Sequence, residues 1–182
     1  VWGKQIATAG SDVVDALAVT PGGEILLARH CDTPGEPSVA FLEKYDGEGS
    51  QVWQRELATS TGHAVAIGAD GSGAVYVAGT DESNLLPVLT KLGAGGEERW
   101  KITVGTASPT ISVAGLAVDG GGNAFAVGAA PIFVVAFDAE GRKQWERTNL
   151  GGKDVGAGIA LAASGEIFVV GTREALVRNS PG

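Results

Sequence analysis

The chain has 182 residues, 44% of them hydrophobic and 19% charged, with a net charge of −8 and an isoelectric point near 4.7. That is enough apolar content for a packed core, and no apolar run approaches the ~20 residues of a membrane helix. The 13 Lys and Arg are scattered, so a phosphate backbone would be repelled and nucleic acid is excluded as a partner; solubility, a cationic partner or Ca²⁺ suits the acidic surface better.

The predicted elements follow one recurring order. Trp2 opens a strand Trp2–Ala7, followed by Val13–Val19, the turn Pro21-Gly22-Gly23, a strand Glu24–His30, a loop Cys31–Pro37, a strand Ser38–Tyr45 and the turn Asp46-Gly47-Glu48-Gly49. Trp53 restarts it: Trp53–Leu57, His63–Ala69, the turn Asp70-Gly71-Ser72-Gly73, Ala74–Thr80, a loop Asp81–Asn84, Leu85–Leu92 and the turn Gly93-Ala94-Gly95-Gly96. Trp100 opens the third round: Trp100–Gly105, Ser112–Val118, the turn Asp119-Gly120-Gly121-Gly122, Asn123–Ala129, Ala130-Pro131, Ile132–Phe137 and the turn Asp138-Ala139-Glu140-Gly141. Trp145 opens the last: Trp145–Leu150, Gly156–Ala162, Ala163-Ser164-Gly165, Glu166–Thr172, Arg173-Glu174, Ala175–Asn179 and Ser180-Pro181-Gly182.

The four Trp, the only ones in the chain, are spaced by 51, 47 and 45 residues, the period of a propeller blade. Short runs rich in Val, Ile, Phe and Ala, bounded by glycine or polar clusters, are strand grammar. The 29 glycines (about 16% of the chain) fall at regular positions, as tight hairpins demand. The expectation is therefore all-β: sixteen strands in four-stranded antiparallel blades, with units of about 2–52, 53–99, 100–144 and 145–182. Labelling the strands d, a, b and c from each Trp, the a strands carry the smallest side chains and belong nearest the axis. The Trp strand then lies at the rim, its indole covering the edge or wedged against the next blade.

In this arrangement the near-identical a–b and c–d hairpins share one end of the blades. The variable b–c loops and d–a loops (Thr8–Asp12, Ala58–Gly62, Thr106–Ile111, Gly151–Asp154) share the other. Variable loops on a rigid scaffold are where specificity usually sits.

Leu150-Gly151-Gly152, Asp154, Ile159-Ala160 and Ile167-Phe168-Val169-Val170-Gly171-Thr172 resemble the bacterial SBBP-type (seven-bladed β-propeller) repeat. So do Leu116-Ala117-Val118-Asp119 with Gly122-Asn123, and Val75-Tyr76-Val77-Ala78-Gly79-Thr80. The resemblance implies a bacterial, secreted or surface-attached propeller and brings no catalytic residues with it. The first unit departs from the pattern, with Arg29 where the others have Gly79, Gly128 and Gly171; a less closely packed b strand is the expectation there.

Candidate chemistry reduces mostly to architecture. The Trp residues could stack on sugars, but a position occupied in every unit serves the shared packing. His30, Cys31 and Asp32 are consecutive, so their side chains diverge on an extended chain, and His63 belongs to another unit; no metal site is expected. Asp70 and Asp119 before glycine look faintly like Ca²⁺ loops but lack the ligand ladder, and a turn role is expected. No Lys-Ser/Thr follows the glycine runs, so no phosphate cradle is expected, and two histidines outside any nucleophile elbow point away from hydrolytic catalysis.

The reading is a non-enzymatic binding or structural propeller without cofactor, contacting a protein or glycan through the b–c and d–a loops. Its candidate residues are His30, Asp32, Glu36, Asp81, Glu82 and Asn84. The alternatives are a carbohydrate-binding propeller using its Trp residues and a fragment of a propeller enzyme. A single Cys31 leaves the compartment open; the resemblance favours the bacterial exterior or periplasm. The chain starts on a repeat element without Met, which reads as part of a longer or processed protein. Pairing of the Trp2 strand with Ala175–Asn179 would close a four-bladed ring, while an arc of a larger ring, continued by further blades of the same polypeptide, is the preferred expectation.

Overall fold

Runs of five to nine residues rich in small and β-branched side chains, cut by glycine turns, form strands, and no helix occurs among the described residues. The structure, a computed structural model, describes residues 10–35, 38–57, 64–81, 86–104, 112–129, 132–148 and 155–172, with Gly3 and Gln5. The expected strands Trp2–Ala7 and Ala175–Asn179, and with them the question of ring closure, lie outside these residues.

Among the described residues there are fourteen strands, one for each of the remaining expected segments. β1 (Ser11–Val19), β2 (Ile25–Asp32), β3 (Val39–Tyr45) and β4 (Gln51–Leu57) make the first antiparallel blade in chain order. β5 (Ala64–Ala69), β6 (Val75–Asp81), β7 (Leu86–Leu92) and β8 (Glu98–Thr103) make the second. β9 (Ser112–Val118), β10 (Ala124–Ala129), β11 (Phe133–Phe137) and β12 (Lys143–Thr148) make the third. β13 (Val155–Leu161) and β14 (Ile167–Thr172) begin a fourth, tied to the third by the pair Ala129–Val155. The a strands β1, β5, β9 and β13 pack on one another in succession. The order a, b, c, d thus runs outward from them.

Strand alternation gives each blade two faces, and each inner face is covered by a neighbour. Leu26, Ala28 and Leu42 of the first blade meet Ile67, Val75, Val77 and Leu92 of the second. Tyr76, Ala78 and Leu89 on the opposite face of the second meet Ala124, Ala126, Phe133, Val135 and Phe137 of the third. Val127 and Val134 on the far side of the third meet Ile159 and Val169.

Two β-bulges recur. The a strands carry one extra residue at Asp15, Val65, Ala114 and Ala157, where the register against the b strand slips. The described d strands carry one immediately before Trp53, Trp100 and Trp145, at Val52, Arg99 and Gln144. Pairing continues past that bulge to Gln51, Glu98 and Lys143, so the d strands start two residues before the Trp at which they were expected to open. Likewise β2 runs on to Asp32 and β6 to Asp81, so the first b–c loop starts at Thr33 rather than Cys31, and Asp81 is a strand residue.

The indoles of Trp53 and Trp100 wedge against the next blade. Trp53 Nε1 donates to the Ala94 carbonyl at 2.9 Å and Trp100 Nε1 to the Ala139 carbonyl at 3.1 Å. Each ring lies where a turn glycine lacks a side chain. A Cβ on Gly96 would sit 3.1 Å from Trp53 Cδ2, and one on Gly141 3.0 Å from Trp100 Cδ2. Lys44 and Lys91, cross-strand partners of these Trp, reach the same two carbonyls at 3.5 and 3.0 Å.

Gly141 and Gly165 both hold positive φ, 80° and 90°, but only Gly141 faces an indole. Gly165→Ala should cost about 1 kcal/mol from the left-handed backbone alone. Gly141→Ala should cost about 1–3 kcal/mol more, because its methyl displaces Trp100. Urea unfolding of the two variants measures the difference.

Candidate functional site

Asp15 and His30, at the b–c end of the first blade, have uncharged residues at the equivalent positions of the other units. His30 lies on the β2 face that also bears Leu26 and Ala28, toward the second blade, and is 7% exposed. Its Nδ1 is 2.9 and 3.0 Å from the two carboxylate oxygens of Asp15, and its Nε2 is 3.6 Å from Asp32 Oδ2. The bulge in β1 is what turns Asp15 toward His30. Other units have Val65, Ala114 and Ala157 at that position, so the one charged bulge residue was the signal that sequence reading passed over. The intervening Cys31 lies on the other face, as expected for an extended chain.

In the second blade Asp81 ends β6 on the face bearing Val75 and Val77, toward the first blade, and Lys101 Nζ approaches its Oδ2 at 3.1 Å. The structure thus sets His30 with Asp15 and Asp32 on one side of the first blade interface, and Asp81 with Lys101 on the other. Glu36, Glu82, Asn84 and His63 lie outside the described residues. Among the described residues no group of three or more His, Cys, Asp or Glu converges as metal ligands would.

Arg29 does not loosen its strand. It is buried on the opposite face of β2, with Nη1 2.9 Å from Asp12 and Nε and Nη2 3.1 and 3.0 Å from Glu43 Oε1. Its guanidinium stacks 4.5 Å from the Phe41 ring centroid. The Tyr45 hydroxyl donates to Glu43 Oε2 at 2.5 Å, and burial together with that carboxylate pushes the phenol pKa up. A charged cluster therefore occupies the space that Gly128 leaves to the Phe133 ring in the third blade.

The hairpin end is built differently, from the same turn four times. Asp46, Asp70, Asp119 and Asp138 each accept, through Oδ1, the amide N–H two and four residues later at 2.8–3.1 Å. Asp70 and Asp119 thus hold turns. Neighbouring turns are also stitched together: the Tyr76 hydroxyl donates to the Gly122 carbonyl at 2.9 Å, and Gly71 N–H donates to Gly120 at 3.1 Å. Burial pushes the Asp70 carboxyl up, but Ser72, Ala74 and Tyr76 donate to its charged form and leave it below the usual range. Clefts lie at this end among the described residues. One of about 690 Å³ is lined by Lys91, Arg99, Trp100 and Glu140 among others, and one of about 600 Å³ by Asp119, Phe125 and Ser164 among others. Sequence reading placed no site here.

The Trp residues differ in availability. Trp53 and Trp100 press on their turn glycines, whereas Trp145 is 36% exposed and sits against Phe125, centroids 6.2 Å apart.

No protein-family model matches the sequence, and no curated protein matches it. Solved structures do. A protein of unknown function from Bacteroides caccae aligns over 93% of this chain and 56% of its own, at TM-score 0.61 and 17% identity. A gluconolactonase from Xanthomonas campestris aligns over 87% of this chain and 54% of its own, at 0.59 and 16%. A catalytically inactive virginiamycin B lyase from Staphylococcus aureus, determined with quinupristin, aligns over 90% of this chain and 50% of its own, at 0.64 and 12%. The chain therefore has the propeller-type fold and spans about half the length of these structures. At such identities the likeness carries the fold alone.

Arg29→Met strands the buried Glu43 carboxylate and should destabilise the protein by about 3–5 kcal/mol, most of it recovered in the Arg29→Met, Glu43→Leu double variant; urea titrations of the three proteins test this. Because the Asp70 carboxyl is lowered on folding, its stabilisation is present above its ordinary pKa of about 4 and is lost as pH falls below it. Asp70→Asn should therefore melt lower at neutral pH and lose less of its melting temperature on acidification than the native chain.

Proposed function

We propose that the chain is a binding module of propeller fold from a bacterial secreted or cell-surface protein, and that it engages a protein partner through its b–c and d–a loops without catalysing a reaction. The observation that supports this most is the contrast between the two ends. At the hairpin end the charged turn residue repeats from blade to blade and is spent on the turn itself. At the loop end Asp15, His30, Asp81 and Lys101 belong to single units, so they vary independently of the scaffold. A pairwise set of buried and exposed charges along one blade junction gives a partner both a register and a charge pattern to match.

A carbohydrate-binding reading narrows to one place. Stacking on a sugar needs a free aromatic face, and exposure at Trp145 beside Phe125 provides the best one among the described residues. The lactonase and the lyase among the similar structures set an enzyme beside these readings; their low identity transmits fold and no catalytic residue.

One experiment separates the two binding readings. Residues 33–37 and 82–84 are replaced by two-residue turns in one variant, and Trp145→Ala is made in another; both are compared with the native chain on a glycan array and against proteins it captures. Loss of a captured protein by the loop variant, with its melting temperature kept within a few degrees, supports the loop face. Glycan signal that disappears with Trp145→Ala supports the sugar reading instead. Equal capture by all three overturns the loop proposal.

A further inference from the structure

The second and third blades meet at the hairpin end around the cleft of about 690 Å³, and every residue lining it is a described one. The repeat provides a reference for this place. In the first blade Leu26 pairs with Lys44 and Lys44 with Trp53; in the second Tyr76 pairs with Lys91 and Lys91 with Trp100. Both ammonium groups reach into the junction with the following blade, to the Ala94 and Ala139 carbonyls respectively. At the first junction the residue two places before Leu26 is Glu24, and its Oε2 lies 2.7 Å from Lys44 Nζ. The residue two places before Tyr76 is Ala74. Its side chain stops at a methyl, and the cleft opens beside it. The third blade has Ala136 opposite its Trp, so it carries no lysine at this position.

Lys91 is thus a cation without the carboxylate that its counterpart has. An ammonium offers three donors. Among the described residues that of Lys91 makes one hydrogen bond, to Ala139 at 3.0 Å, and lies 4.9 Å from the centre of the Tyr76 ring. Asp70 Oδ2 is 3.6 Å away, and the Asp70 carboxylate already accepts from the Ser72 and Ala74 amides and the Ser72 and Tyr76 hydroxyls. A second cation lines the same cleft. Arg99 occupies the bulge position that Val52 holds in the first blade, and it is exposed. Its ion pair with Glu97 is also exposed, and such a pair is weak enough to exchange for another carboxylate. Glu140, the acidic residue of the lining, is held by Arg142 at 2.9 Å. Ala74, Ala94, Ala139 and the Trp100 indole give the cleft its apolar surface. A concave space of this size, apolar with a few placed charges, has the form of a small-molecule site.

We propose that this cleft binds a small carboxylic acid with an apolar body. The ligand carboxylate takes the place against Lys91 that Glu24 takes against Lys44, Arg99 donates to it, and the body lies along the alanines and Trp100. The first junction carries its carboxylate in the chain, and the second receives one from solution. The site is at the opposite end of the blades from the variable loops, so it stands apart from whatever partner those loops engage.

The probes are benzoate, phenylacetate and hexanoate, each with its amide as the uncharged control. They are titrated calorimetrically into the native chain and followed by the indole N–H resonance of Trp100. At least one acid should bind and shift that resonance, and its amide should bind at least about tenfold more weakly, since the charge-assisted hydrogen bonds are lost. Ala74→Gln fills the space that Glu24 fills in the first junction, and Lys91→Met removes the cation; each should abolish binding with the melting temperature little changed. Arg99→Gln should weaken binding several-fold. Should Lys91→Met fail to fold because it also loses Ala139, Ala74→Gln decides the matter. No binding by any of the three acids overturns the proposal, as does equal binding of an acid and its amide, or binding that survives Ala74→Gln.

Discussion

The indole N–H of Trp53 reaches a carbonyl in the c–d turn of the following blade, Trp100 does the same one blade on, and each ring rests on a turn glycine. Most of the architecture depends on this contact. It fixes the distance between successive rims, which in turn sets how closely the b and c strands beneath can interleave Leu26 with Val75 or Tyr76 with Ala124. It also explains the bulge before Trp53 and Trp100. The extra residue at Val52 or Arg99 lets the paired strand continue while the indole swings out of the blade toward its neighbour. The turn glycine then serves two needs at once, positive φ for the hairpin and an empty Cβ position for the ring.

A second set of bonds does the same work nearer the axis. The Tyr76 hydroxyl on Gly122 and the Gly71 amide on Gly120 join the a–b turns of the second and third blades. The turns are therefore part of the inter-blade interface as well as hairpins, and that is why they are nearly alike from unit to unit. The loop end carries no such shared duty among the described residues, and there the units diverge.

The sequence made the repeat legible because tryptophan, aspartate and glycine recur at fixed offsets, and each has a local physical cause. Strand order and the innermost place of the small-residue strands followed from side-chain size. What it hid was anything that depends on the bulges. A single extra residue reverses the alternation of faces, so nothing in the local pattern says that Asp15 turns toward His30, or that pairing resumes beyond Trp53 at Gln51. The buried charge at Arg29 was visible as a departure from glycine, but its consequence was not. Asp12 lies on β1 and Glu43 and Tyr45 on β3, and only the assembled blade shows that the two carboxylates neutralise it. Asp81 was placed in a loop because its partner, Lys101, lies two strands away.

Contacts that run only between neighbours also govern how such an arc comes apart. A blade sealed on both faces, like the second, must lose two interfaces before its amides meet water. Hydrogen exchange should accordingly be slowest in the backbone of β6 and β10, which are covered on both faces. The order in which the strands yield their protons is a map of which blades have neighbours.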